Sequence, residues 1–396
     1  MKKKILSLGL SALILTSCTM GNSGSVTLTG QEYQEYLENK EKIDKIDYLI
    51  KEIEENYLYE DKIDMEDLEV GLYKGLFDAL EDPYSVYYSK DEFNKLNEDN
   101  QGEFGGVGIQ ISAQADDFIT VVAPIKGTPA EAAGIQPGDK IIAINDEPYF
   151  GTDLEKAVSI MRGEPGTDVD LTIRREKGQG FEDEVFTITR EIIKVDSVHP
   201  DTIGDFAYVR LSSFDEHTYE DFKRAVDEAQ KTSPGLVLDL RNNPGGLLSS
   251  VVSIADYLLP QGPIVSTVDN KGKKLSEESD EAMVDIPIVV LINQGSASAS
   301  EILAGALQDY HRATIVGQTS FGKGVVQKIY PLKDGGYKIT VSEYYTALGN
   351  EINKKGVKPD VEVELGEETE GIGIDFYDQD SQLQKAVEVL TEEIKD

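Results

Sequence analysis

Three closely spaced serines lie where an apolar stretch ends and a helical pattern begins. The stretch Ile286 to Ile292 leads through Asn293-Gln294-Gly295 into Ser296-Ala297-Ser298-Ala299-Ser300-Glu301. A serine at a strand-to-helix turn is held exposed, and the backbone N–H groups at the start of the helix point toward a negative charge that forms beside it. Serine is also a common N-cap residue of helices. The segment therefore predicts either a nucleophile or an ordinary helix cap.

A lysine flanked by glycines supplies a candidate base. Lys323 lies in Phe321-Gly322-Lys323-Gly324 and precedes an apolar stretch with strand character. Apolar surroundings lower the pKa of a lysine, and the neutral amine can then take a proton from serine. The run from Gly317 to Lys323 approaches the pattern of a phosphate-binding loop, but Gly324 stands where that loop needs Ser or Thr. We therefore expect a base here and not a nucleotide site.

A pair of glycines ends another apolar stretch. Leu236 to Leu240 is followed by Arg241-Asn242-Asn243-Pro244-Gly245-Gly246. Without side chains, glycines let a backbone N–H approach a substrate closely. A Gly-Gly turn can also simply end a strand. The segment predicts a turn that contacts substrate or a strand-ending turn.

These segments belong to a region of alternating strand and helix patterns, from Asp205 to about Glu364. The apolar runs at 236 and 286 are continuous, as expected for strands covered on both faces of a sheet. We predict an α/β core. Its expected strands are Phe206 to Leu211, Leu236 to Leu240 and Ile286 to Ile292, and its expected helices are Asp215 to Lys231, Leu247 to Leu259 and Ala299 to Gln308.

A β-rich block from Gly102 to about Arg190 precedes this core. We predict strands at Val107 to Ile111, Phe118 to Val122, Lys140 to Ile144 and Val169 to Arg174, and a helix at Thr152 to Met161. A glycine-rich turn that leads into a strand can present free N–H groups to a terminal carboxylate while a peptide adds as an extra strand. Such glycines can also serve a tight turn alone.

The block resembles a PDZ domain over its whole length. The resemblance rests on Phe104 to Ile111, on Thr128 to Ile135 and on Pro137 to Ile142. It implies that the backbone of Gly106, Val107, Gly108 and Ile109 binds the carboxylate of a peptide tail.

Together the motifs resemble the carboxyl-terminal processing peptidases, also called tail-specific proteases, from about Gln31 to Leu365. The family's serine run corresponds to Gly295 through Glu301 and its lysine motif to Phe321 through Gly324, which places Ser298 and Lys323 25 residues apart. The preference for Ser298 over Ser296 and Ser300 rests on this likeness.

The resemblance also implies the roles of the site residues. Ser298 attacks the peptide carbonyl, Lys323 takes its proton and returns it to the leaving amine, and Gln327 orients the lysine amine. The N–H groups of Gly246 and Ala299 form the oxyanion hole.

The first residues have the layout of a secretion signal. Three lysines precede an apolar run from Ile5 to Leu15, which is too short to span a membrane. Leu15-Thr16-Ser17-Cys18 resembles a bacterial lipobox, and an ordinary cleaved signal is the alternative. We expect an extracytoplasmic bacterial lipoprotein anchored to the membrane at Cys18.

Because Cys18 is the one cysteine, an intramolecular disulfide framework and a thiolate metal cluster are excluded.

The expected fold class is a multidomain α/β protein, in which an α/β serine peptidase core joins a PDZ-like β-rich domain and an N-terminal helical region. Ile43, Leu49 and Ile53 are helically spaced, which fits packing in a local core or on a second copy in a homodimer.

The expected divisions are a lipoprotein signal peptide (1–17), a linker (18–30), the helical region (31–97), the PDZ-like domain (102–190), the peptidase core (191–365) and an acidic segment (366–396). The acidic segment contains one predicted helix, Ser381 to Ile394, whose position in the fold the sequence alone does not give.

The charge balance and the histidine positions limit the classes of binding partner and cofactor. With 74 acidic and 38 basic residues the net charge is −36, which argues against nucleic acid and could favour basic substrates. His199, His217 and His311 show no metal-ligand spacing, so we expect no metal and no cofactor. His311 follows the serine helix, so a Ser-His-Asp hydrolase is the enzymatic alternative.

The function expected from these residues is that of a serine endopeptidase with a Ser-Lys pair. It would cleave extracytoplasmic proteins or peptides with free C-termini and recognise their tails through the PDZ domain, which could also gate the protease. Arg162, at the end of the PDZ helix, is a candidate contact in such a gate, or else a surface salt bridge. The alternative function is a non-catalytic peptide-binding PDZ lipoprotein scaffold.

Overall fold

The computed structural model describes residues 29–178, 180–366 and 369–395. The chain divides into two compact units, residues 1–75 and 76–396. In the described part of the first unit, helix α1 (Gly30–Asn56) begins at a capping box, in which the Thr29 hydroxyl accepts from the Glu32 N–H and the Glu32 carboxylate accepts from the Thr29 N–H. None of the α1 side chains is buried. Helix α2 (Met65–Asp78) runs across the division between the units.

The second unit contains a strand inside the segment that the sequence pattern predicts to be helical. Strand β1 (Val86–Tyr88) pairs antiparallel with residues 336–338, and helix α3 (Lys90–Gln101) follows it. Valine and tyrosine favour strands, but the partner strand lies about 250 residues away along the chain. Local periodicity does not reveal such a pairing.

The β-rich block forms a compact antiparallel domain. Its elements are β2 (Glu103–Gly106), β3 (Ile109–Ser112), β4 (Ile119–Pro124), α4 (Pro129–Ala133), β5 (Lys140–Ile144), β6 (Glu147–Pro148), α5 (Leu154–Met161), β7 (Asp168–Lys177), β8 (Gly180–Thr189) and β9 (Glu191–Lys194). Strands β3, β4, β5, β7 and β8 make one sheet in that order, and β2 pairs with β9. Ile119, Ile141 and Leu171 are fully buried in its core.

The remaining elements form the α/β core. They are β10 (Val198–Ile203), β11 (Phe206–Leu211), α6 (Thr218–Ala229), β12 (Leu236–Asp239), α7 (Leu248–Leu258), β13 (Gly262–Asp269), β14 (Lys274–Ser279), β15 (Ile288–Ile292), α8 (Ala299–Asp309), β16 (Ala313–Gly317), β17 (Val325–Leu332), β18 (Gly335–Thr346), β19 (Val361–Glu362) and α9 (Ser381–Glu393). The predicted strands and helices of this region are found, with ends that differ by up to three residues. In the part of the chain that the structure describes, no helix is long and apolar enough to cross a membrane.

A six-stranded sheet with the order β10-β11-β12-β15-β16-β19 carries the site. Its strands are parallel except for β10. Leu236 and Leu238 pack with α6, α7 and α8 on one face, and Val237 packs with α9 on the other. Both faces are therefore buried, which explains the continuous apolar run of β12.

The C-terminal helix, which the sequence left unplaced, is tied to the sheet by a buried ion network. The Arg241 guanidinium donates to Asp239 Oδ2 at 2.6 Å and to Asp380 Oδ1 at 2.8 Å, and all three side chains are fully buried. Asp380 also caps α9, because its carboxylate accepts from the Leu383 N–H at 3.0 Å. The helix is thus an integral layer of the core.

A second, antiparallel sheet has the order β1-β18-β13-β14, with β17 paired to β18. The sequence pattern indicated a strand after Lys323 but not this sheet. It brings β17 and β18 beside the loops that follow β12, β15 and β16. Ligand sites of α/β sheets lie outside the carboxyl ends of parallel strands, which is where these three loops meet.

We predict that Asp380→Ala lowers the free energy of unfolding by about 3 to 5 kcal/mol, because the buried Arg241 charge loses a partner. Urea denaturation measures the change. Asp378→Ala, which removes an exposed carboxylate two residues earlier, is the control. Equal stability of the two variants would contradict this role of the ion network.

Candidate active site

The turn between β15 and α8 holds Ser298 in an unusual backbone conformation. Its φ is 55° and its ψ is −112°, a region that residues other than glycine rarely adopt. Such strain costs on the order of 1–3 kcal/mol and is typical of functional turns. It is the geometry expected of a serine presented at a strand-to-helix turn.

Burial distinguishes the three serines of this turn. Ser296 is fully buried and its hydroxyl donates to the Leu240 carbonyl at 2.8 Å. Ser300 is also fully buried, and its hydroxyl donates to the Asn243 carbonyl at 2.9 Å. Ser298 is half-buried and lines a cleft. Of the three, Ser298 is the one placed to meet a substrate, as the resemblance predicted.

One cleft of about 240 Å³ brings the predicted site residues together. The five residues assigned to catalysis from sequence all line it: Ser298, Lys323, Gln327, Gly246 and Ala299. Apolar side chains from α3, α8 and the loop before α7 complete its wall, among them Leu96, Leu247 and Ile302. The structure thus assembles residues that are up to 81 positions apart in sequence.

Two backbone donors in the cleft are free of hydrogen bonds. The N–H groups of Gly246 and Ala299 make none within the part of the chain that the structure describes. Gly246 has φ 150°, and a Cβ there would lie 2.1 Å from the Phe214 carbonyl oxygen. A Cβ on Gly245 would lie 2.9 Å from the Ala299 nitrogen. Glycines at both positions therefore let the loop lie against the serine turn with the Gly246 N–H available, while the Gly245 N–H donates to Asn243 Oδ1 at 2.9 Å.

The amine of Lys323 lies in half-buried surroundings, 4.9 Å from the centre of the Tyr84 ring. Burial lowers the pKa of Lys323, and the charge of Lys338 lowers it further, while Glu301 and Asp82 oppose the shift. The net direction is downward. More of the amine is therefore neutral at a given pH than in an exposed lysine, which suits a base.

Gln327 lies on β17 beside an irregularity in strand pairing. The register with β18 shifts between Val326 and Gln327, and such bulges re-aim side chains near active sites. The Gln327 amide donates to the Val325 carbonyl and to the Thr340 hydroxyl, both at 3.3 Å. No hydrogen bond links it to Lys323, and none links Lys323 to the Ser298 hydroxyl, within the described residues. Catalytic hydrogen bonds often form only with substrate bound, so the orienting role of Gln327 stays a prediction.

Glu301 is a site residue whose role the sequence did not reveal. Its side chain is fully buried and accepts from the N–H groups of Ser298 at 2.8 Å, Gly322 at 2.6 Å and Lys323 at 2.8 Å. The Ser320 hydroxyl donates to it at 2.6 Å. Its place three residues after Ser298 signals a capping box, but not the bonds to the lysine loop. Glu301 joins the serine turn to the lysine loop.

Tyr344 of β18 was also missed from the sequence. Its buried hydroxyl contacts two carbonyl oxygens, that of Ser298 at 3.2 Å and that of Lys323 at a shorter distance. Burial raises the pKa of Tyr344 well above its usual value, so the hydroxyl remains a donor. It is a second link between the serine turn and the lysine loop.

The glycine-rich turn of the β-rich domain has free donors. The N–H groups of Val107 and Gly108 make no hydrogen bond to any residue that the structure describes. Gly108 has φ 78°, and a Cβ there would lie 2.4 Å from the Thr128 side chain. The Thr128 hydroxyl donates to the Gly108 carbonyl at 3.1 Å and fixes the turn. Gly106 ends β2 and Ile109 begins β3, so the four predicted residues form this turn.

Other predicted features lie elsewhere. Cys18 falls outside the described residues. His199, His217 and His311 do not line the catalytic cleft. Among residues 29–178, 180–366 and 369–395, no group of three or more His, Cys, Asp or Glu residues is arranged to hold a metal ion.

Comparison with known proteins identifies the fold and the family. The sequence profile of peptidase family S41 matches residues 205–363, and that of the PDZ domain matches residues 120–175. The chain is 44% identical to the carboxy-terminal-processing protease of Bartonella bacilliformis over 72% of this chain and 67% of that protein. It is 35% identical to the carboxy-terminal processing protease CtpA of Bacillus subtilis over 90% of this chain and 76% of that protein.

A solved structure shares the fold. A Bacteroides fragilis protein described as a candidate S41 protease covers 88% of this chain, with 97% of its own length aligned, a TM-score of 0.50 and 17% identity. The fold and the site define a serine-type protease with a PDZ domain, which acts on proteins or peptides. The chain belongs to the carboxy-terminal-processing proteases of peptidase family S41, which confirms the resemblance and the expected fold class.

We predict that Glu301→Gln lowers kcat at least tenfold with a smaller change in KM. An amide cannot accept from all the donors that meet Glu301, and an unsatisfied buried donor costs about 1–3 kcal/mol. Steady-state peptide cleavage measures the effect. The control is Glu362→Gln, at an exposed position of β19. Unchanged kcat in Glu301→Gln would show that the serine turn and the lysine loop hold their positions without this group.

Proposed function

We propose that the chain is an endopeptidase with a Ser298-Lys323 catalytic pair. The proposal rests on one observation. Ser298 and Lys323 line the same cleft as two free N–H groups, those of Gly246 and Ala299. The neutral amine of Lys323 takes the Ser298 proton as the hydroxyl oxygen attacks the peptide carbonyl. The strained turn presents the hydroxyl for this attack.

The two free N–H groups stabilise the reaction. As the carbonyl oxygen gains negative charge, the donors of Gly246 and Ala299 bind it. The Lys323 ammonium then gives its proton to the leaving amine, and an acyl-enzyme remains on Ser298. Water, deprotonated by the same amine, releases the new C-terminus and restores the hydroxyl.

Cleavage of an unstructured protein at neutral pH, with a metal chelator present, tests this mechanism. We expect wild-type activity to survive chelation and to fall at least a thousandfold in Ser298→Ala and in Lys323→Ala. Lys328→Ala, an exposed lysine on β17, is the matched control and should retain activity. Chelator-sensitive cleavage, or activity in Ser298→Ala, would reject the pair. Tail binding without cleavage by the wild type would favour the non-catalytic scaffold.

The pH dependence follows from the base. Lys323 acts when neutral, so cleavage should rise as the pH increases through its pKa, which lies below the ordinary lysine value. The positive charge of Lys338 contributes to that lowering. In Lys338→Gln the Lys323 pKa should rise, and the ascending limb of kcat/KM should move to higher pH. If the ascending limb of kcat/KM in Lys338→Gln stayed at the same pH as in the wild type, either Lys323 would not be the titrating base or Lys338 would not be its neighbour.

We also propose that the PDZ domain captures substrate tails and gates the protease. Its free N–H groups at Val107 and Gly108 support carboxylate capture. Arg162, which follows α5, donates to Glu98 of α3 at 2.7 Å and stacks 4.2 Å from the Phe104 ring centre. Leu96, on the same helix as Glu98, lines the catalytic cleft. A tail that shifts α5 would therefore act on the cleft wall, moving the site from a resting to a competent arrangement.

Arg162→Ala should change cleavage of an untailed peptide and reduce its stimulation by a separate peptide with a free C-terminus. Arg174→Ala is a matched control, because Arg174 also pairs with a carboxylate, Asp183, and lies over a ring, that of Phe118. The same peptide with an amidated C-terminus should stimulate the wild type less. Equal effects of the two arginine variants would leave Arg162 as a surface salt bridge, which is worth about 0–1 kcal/mol.

For location, we propose an extracytoplasmic lipoprotein anchored through Cys18, cleaving extracytoplasmic proteins. The signal-like first residues and the lipobox pattern support this. Fatty-acid labelling in the wild type but not in Cys18→Ser would test it.

We propose a homodimer through the exposed apolar side chains of α1, which light scattering of the purified protein would test.

A further inference from the structure

The catalytic cleft has a charge opposite to that of the whole chain. The chain has 74 acidic residues and a net charge of −36. Of the residues that line the cleft, all of them within the described ranges, none is an aspartate or a glutamate, and the charged ones are Lys323 and Lys338. A cleft with one sign of charge and apolar walls concentrates ligands of the other sign. The cleft is therefore suited to an anionic group although the protein is acidic.

Lys338 lies in the middle of β18, directly across from Ile329 of β17. Cross-strand partners share one face of a sheet, and Ile329 also lines the cleft. The Lys338 side chain is half-buried, and its amine lies 5.6 Å from the centre of the Tyr88 ring. It forms no hydrogen bond and no ion pair with any described residue. The amine is therefore half-buried, in contact with an aromatic ring but without a hydrogen-bond or charged partner among the described residues.

The carboxylates near the catalytic lysine have other partners. Glu301 accepts hydrogen bonds from the serine turn and the lysine loop. Asp82 accepts from the Ser85 hydroxyl at 2.6 Å and from the Tyr84 N–H at 3.0 Å. Neither forms an ion pair with Lys338. Three groups face Lys323: Glu301, Asp82 and Tyr84. None of them pairs with the Lys338 ammonium.

We propose that Lys338 forms an anion subsite beside the scissile bond and binds a carboxylate of the substrate. The subsite rests on the proposed Ser298-Lys323 mechanism and adds a preference that the mechanism alone does not require. The carboxylate has two sources, an Asp or Glu side chain near the cleaved bond or the α-carboxylate of a chain that ends in the cleft. A hydrogen bond to a charged partner in half-buried surroundings is worth about tenfold in kcat/KM.

Matched peptides test the subsite with the full-length protein. A peptide with one cleavage site, mapped by mass spectrometry, is prepared with Glu or Gln at each of the three positions on either side, and with a free or amidated C-terminus. The readout is the ratio of kcat/KM between members of a pair. Lys338 also tunes the Lys323 base, but ionisation of the base affects both members of a pair equally, so the ratio isolates binding.

In the wild type we expect one position where Glu is preferred to Gln, or the free acid to the amide, about tenfold. The preference should vanish in Lys338→Gln, persist in Lys338→Arg and persist in Lys328→Gln, an exposed lysine of the same hairpin. A preference confined to Glu assigns the subsite to a side chain, and one confined to the free acid assigns it to a chain end.

Two results would overturn the subsite: equal cleavage of all pairs by the wild type, or an unchanged preference in Lys338→Gln. Failure of the mechanism itself looks different. In that case no peptide is cut, or cleavage survives in Ser298→Ala.

Discussion

The buried side chain of Glu301 holds the turn that carries Ser298 against the loop that carries Lys323. It accepts from the backbone of Ser298 and of Lys323, on segments that follow two different strands of the sheet. A fully buried acceptor must have its donors in place, because an unpaired one is costly away from water. The position of the serine turn relative to the lysine loop therefore follows from satisfying one side chain. Tyr344 reinforces the link from the second sheet.

The parallel sheet decides which loops can meet. Strands β12, β15 and β16 are neighbours, and the loops after them carry Gly246, Ser298 and Lys323. Strain at Ser298 is sustained because the surrounding core is tightly packed: the residues of α8 from Ala299 to Leu307 are all buried. Layers on both faces, including the C-terminal helix held by Arg241, supply that packing. The stability of the fold and the presentation of the serine thus depend on the same packing.

The charge of the cleft differs in sign from the net charge of the chain. Acidic residues dominate the chain, whereas the cleft carries two lysines and no carboxylate among its lining residues. The positive charge of Lys338 disfavours protonation of Lys323 and so favours a neutral Lys323 amine. The net charge of this chain is therefore a poor guide to the charge of its cleft.

The sequence by itself determined three strands and three helices of the core, and the candidate residues. Apolar runs and helical spacing are local, so β12, β15, α7 and α8 were predicted nearly to the residue, and the motifs led to Ser298 and Lys323. Choosing Ser298 among three serines on physical grounds needed the burial of Ser296 and Ser300. The pairing of β1 with β18, and the arrival of Tyr344 and Lys338 at the cleft, depend on contacts between distant segments. Only tertiary structure decided these, because strand pairing and shared burial are properties of the packed chain and leave no local pattern.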